Sequence, residues 1–204
     1  MRRAAAGFTL IELIAVLAIL SILAYFLVTN VGGAKELVDE KATHNKLVQV
    51  AAMLEQYADA AGDYPTAAGM FPGAPPNATN VGGETLYLAL CREHGPGFGV
   101  VDDELCNTDG DRASAQLEGF ESRELYELAD SWGNPIAYLH HRSYDRAETY
   151  ATRDAATGEP LEGQVTAWRN EATQRFHGPR AFQLISAGAD GAFGTEDDIT
   201  EFAP

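Results

Sequence analysis

The stretch GFTLIELIAVLAILSILAYFLV, residues 7–28, decides the fold of this chain. After its glycine it runs for about 21 residues with one charged group, Glu12, close to the roughly 20 apolar residues that a helix needs to cross a membrane. Arg2 and Arg3 precede the stretch, and acidic residues follow it. Because positively charged flanks stay in the cytoplasm, the sequence predicts one membrane-spanning helix with the rest of the chain exported.

The small residues that mark a candidate cleavage site lie on the cytoplasmic side of the apolar stretch. They form the sequence AAAG at residues 4–7, whereas the far end has the large Ile22 at the third position before a cut after Ala24. A conventional secretory signal has the opposite order, with a shorter apolar core followed by small residues. A cut after Gly7 would release a short basic leader and leave the helix attached to the protein.

The motif GFTLIE, residues 7–12, resembles the processing signal of type IV prepilins and of the pseudopilins of type II secretion systems. The resemblance implies that a prepilin peptidase cuts after Gly7 and that the new amino terminus, Phe8, is methylated. It also implies three parts of the chain. These are a leader peptide at residues 1–7, a transmembrane and filament-core helix at residues 8–31, and a periplasmic pilin-like domain at residues 32–204.

Glu12 becomes the fifth residue of the mature protein under this interpretation. A lone carboxylate in hydrocarbon costs about 2.5 to 3.5 kcal/mol on insertion scales, so such a residue usually has a partner and a function. Cleavage would create a charged amino group on Phe8, about one helical turn away in the same chain or on a neighbouring subunit. We expect Glu12 to attract an incoming subunit and to set its register. The alternative is a charge that is tolerated near the interface in a plain membrane anchor.

Helical apolar spacing continues from residue 35 to Ala61, where GDYPT (residues 62–66) supplies a glycine cap and a proline. The sequence therefore predicts an α+β fold, in which the amphipathic half of one long helix packs on a small antiparallel β-sheet. YPT and the later DSWGNP also resemble segments of the major pseudopilins, which supports a pilin-like fold. Further predicted elements are helices at residues 84–95 and 122–130, strands at 135–141 and 180–188, and a weaker strand at 164–170.

The C-terminal segment SAGADGAFGTEDDIT, residues 186–200, combines carboxylates, hydroxyls and glycines. Calcium takes six to eight hard oxygen ligands, and such a turn can supply them. Major pseudopilins bind calcium in a similar C-terminal loop. The resemblance implies Ser186, Asp190, Asp197 and Asp198 as ligands of a structural calcium ion; the alternative is a solvated acidic turn.

The two cysteines, Cys91 and Cys106, both lie in the exported body, where an oxidising compartment allows a disulfide. The bridge would close a loop of about 15 residues and contribute roughly 3 kcal/mol. The acidic segment at residues 100–111 is interpreted as an exposed loop in preference to a second cation site. His140 and His141 are expected on opposite faces of a strand, which would prevent them from sharing one zinc ion.

The net charge is −16, from 14 basic and 30 acidic residues, which disfavours nucleic acid as a partner. No nucleophile motif or phosphate loop is present in the sequence, so we expect a protein that is not an enzyme. A membrane-tethered enzyme or calcium-dependent binding module is the alternative from another class.

The resemblance implies a structural subunit of a type II secretion pseudopilus, which helps drive protein export across the outer membrane. Its partners would be the prepilin peptidase, copies of itself, other pseudopilins and the assembly platform of the bacterial inner membrane. The protein would cross that membrane once and enter a periplasmic filament after assembly. The alternative within the superfamily is a type IV pilin for adhesion, motility or DNA uptake. The internal position of both cysteines favours the pseudopilin.

Overall fold

The computed structural model describes residues 9–71, 73–91, 104–154 and 156–202, with the backbone alone at residues 26–34. The chain divides into two compact units, Met1–Val38 and Asp39–Pro204.

Helix α1 extends over Leu10–Ala61. Gly62 ends it in a left-handed conformation (φ +85°) that glycine adopts without strain, and its N–H donates to the carbonyl of Ala58 at 2.8 Å. Pro65 follows and cannot continue the helix. The predicted end of the long helix at Ala61 is thus confirmed.

In the second unit, one face of α1 is buried at helical spacing, through Thr43, Leu47, Val50 and Leu54. The three apolar residues belong to a core cluster that also takes side chains from the later helix and strands, among them Leu86, Leu90, Ile136, Tyr138 and Leu184. The predicted amphipathic half of the helix therefore supplies one side of the hydrophobic core.

The remaining elements are short. They are α2 (Ala67–Met70), α3 (Val81–Leu90), β1 (Leu105–Cys106), β2 (Glu127–Leu128), β3 (Ala137–His140), a 3-10 turn (His141–Ser143), β4 (Glu148–Arg153), β5 (Pro160–Val165), β6 (Phe182–Ser186) and β7 (Ile199–Thr200). All strand pairs are antiparallel, in the orders β3-β6-β7, β4-β5 and β1-β2. The α+β class is confirmed, and the described residues form three small sheets where one was expected.

The strands predicted at residues 135–141 and 180–188 are confirmed as β3 and β6, and β3 pairs along its whole length with residues 182–185 of β6. The helix predicted at residues 122–130 is wrong. The chain there is extended and forms β2, and the N–H of Ala129 donates to the carbonyl of Glu104 at 2.8 Å. Pairing with a distant segment overrides the local helix propensity of this sequence.

Two other predicted elements are confirmed in part. The helix expected at residues 84–95 is α3, which begins earlier, at Val81, and ends at Leu90 with Cys91 as its C-cap. Residues 92–95 of the expected range lie outside the described part of the chain. The weak strand at residues 164–170 shares only Gln164 and Val165 with β5, and β4 was not predicted.

The DSWGNP turn joins the sheets. One oxygen of Asp130 accepts from the N–H groups of Trp132 and Asn134, each at 2.9 Å. The Asn134 side chain exchanges two hydrogen bonds with the backbone of Arg153, at the end of β4. These bonds fix β3 and β4 relative to the turn that precedes them.

Candidate functional site

Glu12 closes the first turn of α1 together with Thr9. The Thr9 N–H and hydroxyl both donate to Glu12 Oε2, at 2.9 and 2.7 Å, and the Glu12 N–H donates to Thr9 Oγ1 at 3.3 Å. This reciprocal pattern is a capping box, which satisfies two of the N–H groups that a helix start leaves unpaired. The sequence spacing Thr-x-x-Glu could have predicted Thr9, which our sequence reasoning missed.

The processing residues Gly7 and Phe8 lie outside the described residues. The expected pairing of Glu12 with the Phe8 amino group therefore stays a prediction, and the partner that the structure gives to Glu12 is Thr9.

The apolar residues on both sides of Glu12 are exposed in the structure. Every described side chain from residue 9 to residue 25 is exposed, including large ones such as Leu10, Ile11, Ile19 and Leu23. Within the described residues, no helix contains a stretch that is both long and apolar enough to cross a membrane. The span predicted at residues 8–31 includes Phe8 and the side chains of residues 26–31, which are outside the description.

The acidic turn after β6 is held closed by its own backbone and hydroxyl groups. Asp197 accepts from the Asp190 N–H at 3.0 Å and from the Thr195 hydroxyl at 2.6 Å. Asp198 Oδ2 accepts from the Gly194 N–H at 2.8 Å. These bonds place three of the predicted calcium ligands on one short turn.

One carboxylate oxygen of Asp198 is available to bind a ligand. Its Oδ1 is buried and has no hydrogen-bond partner among the described residues. Burial, with repulsion from Asp197 and Asp190, raises the pKa of Asp198 to about 6. An oxygen in this environment suits a bound cation.

Ser186, the fourth predicted ligand, has another partner. Its hydroxyl donates to Asp130 Oδ2 at 2.6 Å and accepts from the Gly188 N–H at 3.2 Å. The serine hydroxyl therefore ties β6 to the DSWGNP turn and is not turned toward the carboxylates of the acidic turn.

Comparison with known proteins finds one similarity at the amino terminus and one over most of the chain. Residues 2–24 match the family model of the prokaryotic N-terminal methylation motif. The chain is also 28% identical over 196 residues to the type II secretion system core protein G of Escherichia coli (strain K12), an alignment that covers 96% of this chain and 90% of that protein. Both similarities point to a protein of the type IV pilin and pseudopilin kind. No solved structure gives a significant match.

Both cysteines of this pilin-like chain are free thiols in the structure, so the predicted disulfide between Cys91 and Cys106 is not formed there. The Cys106 thiol lies 3.6 Å from Glu127 Oε2, and Cys91 packs against the hydrophobic core. Burial raises the pKa of both thiols, that of Cys91 to about 12. This disfavours the thiolate that disulfide formation requires.

The two neighbouring histidines do not point to opposite faces, and that expectation is wrong. β3 ends at His140 and a 3-10 turn begins at His141, so the strand alternation stops between them. Their rings lie 4.3 Å apart, and both have a nitrogen within 4.8 Å of an Asp63 oxygen. Arg142 already neutralises Asp63 through a hydrogen bond of 2.5 Å, which makes this group a poor site for a further cation.

Proposed function

We propose that this chain is a structural subunit of a type II secretion pseudopilus. Similarity to the core protein G of such a system over 96% of this chain carries the proposal, and the methylation motif at residues 2–24 supports it. The subunit would be anchored in the bacterial inner membrane and would join copies of itself and other pseudopilins in a periplasmic filament. Its work is packing and assembly, without a catalytic centre.

In this role a prepilin peptidase cuts after Gly7 and Phe8 is methylated. Thr9 and Glu12 remain in the mature protein, where their capping box holds the start of α1. The apolar residues after Glu12 are exposed. Such side chains are suited to contact lipid before assembly and neighbouring helices in the filament. The Glu12 carboxylate then supplies the one charge that can pair with the amino terminus of a neighbouring subunit.

The acidic C-terminal turn would bind calcium through Asp190, Asp197 and Asp198. The buried, unpartnered oxygen of Asp198 supports this assignment. The ion would hold the turn against β7, whose first residue follows Asp198 directly. A turn stabilised in this way could present a fixed surface to a neighbouring subunit.

Deletion of the gene, with plasmid complementation, tests the function. The extracellular proteome, surface pili and twitching are measured together. Specific exoproteins are expected to be lost from the medium and to accumulate folded in the periplasm, with pili intact. An unchanged extracellular proteome with pili or DNA uptake lost would overturn the secretion assignment in favour of a type IV pilin.

Mass analysis of the purified protein tests the processing step independently. The mature chain is expected to begin at methylated Phe8. A mature protein that retains residues 1–7 in cells with an active prepilin peptidase would contradict the proposal.

A further inference from the structure

Four carboxylates from three separate segments converge beside α3. Glu84 lies in the first turns of α3, Asp109 and Asp111 follow β1, and Glu127 lies on β2. Oxygen atoms of Glu84, Asp109 and Glu127 all lie within 4.8 Å of one another. Ligands on opposite sides of a calcium ion are about 4.6–5.2 Å apart, so this spacing allows the three groups to share one ion.

Glu84 is the group that most needs an explanation. Its exposed fraction is 0%, and its oxygens accept from no amide, hydroxyl or cationic donor among the described residues. The polar group that they meet there is another carboxyl, that of Asp111. The Oδ1 atoms of Asp109 and Asp111 are likewise buried and without partners there. A buried charge without a partner is strongly destabilising, so buried carboxylates are normally paired or bound to a metal.

The groups that do contact this cluster are neutral. Within the described part of the chain, the Asn77 amide donates to Asp109 at 2.7 Å and to Asp111 at 3.2 Å. Glu127 accepts from the Asn80 amide at 3.1 Å and from the Cys106 thiol. None of these donors supplies the positive charge that four carboxylates require.

The surrounding structure holds the cluster in place. Asn80 is fully buried and has a left-handed backbone conformation just before α3. Its side-chain oxygen accepts from the Ala151 N–H at 2.8 Å, and its backbone carbonyl accepts from the Glu84 N–H. A Cβ at Gly83 would lie 3.0 Å from the Glu127 side chain, so glycine there permits the close approach of α3 to β2. Glu84 and Glu127 are therefore oriented by the fold itself.

The electrostatics agree with this geometry. Burial raises the pKa of Glu84 and of Asp111, and the neighbouring carboxylates raise it further. Burial, with repulsion from Asp109, raises the pKa of Glu127 to about 8. A cation would compensate the same negative charge without requiring protonation.

We propose that Glu84, Asp109, Asp111 and Glu127 form a binding site for a divalent cation of the calcium type, separate from the C-terminal acidic turn. All four ligands are hard carboxylate oxygens, which suit calcium better than zinc or copper. The nearby Cys106 thiol donates to Glu127 Oε2 and is not one of the three groups whose ligand atoms lie within 4.8 Å of one another. The ion would join α3, the segment after β1 and β2.

Calcium titration of the full-length protein in detergent, by calorimetry in metal-free buffer, tests the site. The variants are Glu84→Gln, Asp109→Asn and the control Glu121→Gln, an exposed carboxylate in the same region. Each is made in the wild type and with Asp197→Asn and Asp198→Asn, which removes the carboxylates of the C-terminal turn. Asp109 is partly exposed, so its variant remains informative if Glu84→Gln does not fold.

The protein with the altered C-terminal turn is expected to bind calcium still. Mutation of a residue that only hydrogen-bonds to a metal ligand lowers metal affinity by about 10- to 100-fold. Loss of a direct ligand should therefore lower calcium affinity by at least roughly tenfold. Glu84→Gln and Asp109→Asn should therefore both weaken this binding to that extent, and Glu121→Gln should leave it unchanged. Absence of calcium binding once the C-terminal turn is altered would overturn the proposal. Isotherms of both site variants that match their parent would also overturn it. Neither result bears on the secretion function, because the site is inferred from the contacts, burial and charges of this chain's own residues.

Discussion

The substitution Glu12→Gln separates the charge of residue 12 from its part in capping α1. Glutamine at this position can still accept from the Thr9 N–H, so the capping box is retained. The charge also loses its favourable interaction with the helix dipole, which is small at an exposed helix start. Insertion of the precursor into the membrane should not be impaired. A carboxylate in the hydrocarbon core costs about 2.5–3.5 kcal/mol, and the uncharged glutamine amide costs less.

Assembly should respond much more strongly. In the proposed filament Glu12 pairs with the Phe8 amino group of a neighbouring subunit. Removing one partner of such a buried ion pair costs roughly 3–5 kcal/mol, or two to three and a half orders of magnitude in the association constant. Filaments sheared from cells that overproduce the variant should therefore be lost, while the mass of its amino terminus shows normal cleavage and methylation at Phe8.

Thr9→Ala is the matched control, since it removes the threonine hydroxyl from the cap and keeps the Glu12 charge. It should weaken the helix start by about 1 kcal/mol and reduce filament yield only slightly. Normal filament yield from Glu12→Gln would refute the role of the charge. Equal losses from both variants would assign the effect to capping instead.

Three further predictions concern stability, measured by thermal unfolding of the full-length protein in detergent. The pKa values of Glu84 and Glu127 are higher in the folded than in the unfolded protein. The stability that this difference contributes is fully present at a pH below the unfolded-state pKa values, and it is lost as the pH rises through the folded-state pKa values. The free energy of unfolding of the metal-free protein should therefore fall from pH 7 to pH 9, by up to about 1.4 kcal/mol per pH unit for each group. The double variant Glu84→Gln with Glu127→Gln should show a smaller fall over the same range. An equal fall in the wild type and the double variant would contradict the assignment. Ser186→Ala should cost about 1–3 kcal/mol by leaving the buried Asp130 carboxylate without its hydroxyl donor, yet leave the calcium stoichiometry unchanged; a lost calcium ion would make the serine a ligand. Gly188→Ala should destabilise the fold by roughly 1–3 kcal/mol, because φ is +64° and the added Cβ would overlap the carbonyl oxygen of Asp197. An unchanged melting temperature would show that the turn is more adaptable than the structure indicates.

The elements that depend on local chemistry could be predicted from the sequence. Gly62 and Pro65 end α1 where their backbone preferences require it, and the strands β3 and β6 follow from short apolar segments between turns. The amino-terminal motif was equally local, because its glycine, its glutamate and the apolar residues all lie within one stretch.

The features that the sequence did not reveal depend on distant contacts. Residues 122–130 have helix propensity, but pairing with β1 makes them extended and buries Glu127. The acidic segment at residues 100–111 was interpreted as an exposed loop, yet Asp109 and Asp111 meet Glu84, which no sequence spacing predicts. The acidic ligands of a site that closes across three segments cannot be told from solvated charges until the chain is folded.

The capping box of α1 lets one carboxylate serve two partners. Both hydrogen bonds from Thr9 end on the same oxygen of Glu12, Oε2. The second oxygen can therefore take a proton donor from another molecule without undoing the first turn. Both capping residues also follow Gly7, so removal of the leader deletes none of the groups that close the helix. Maturation and docking can then proceed on a helix start that is already complete in the precursor.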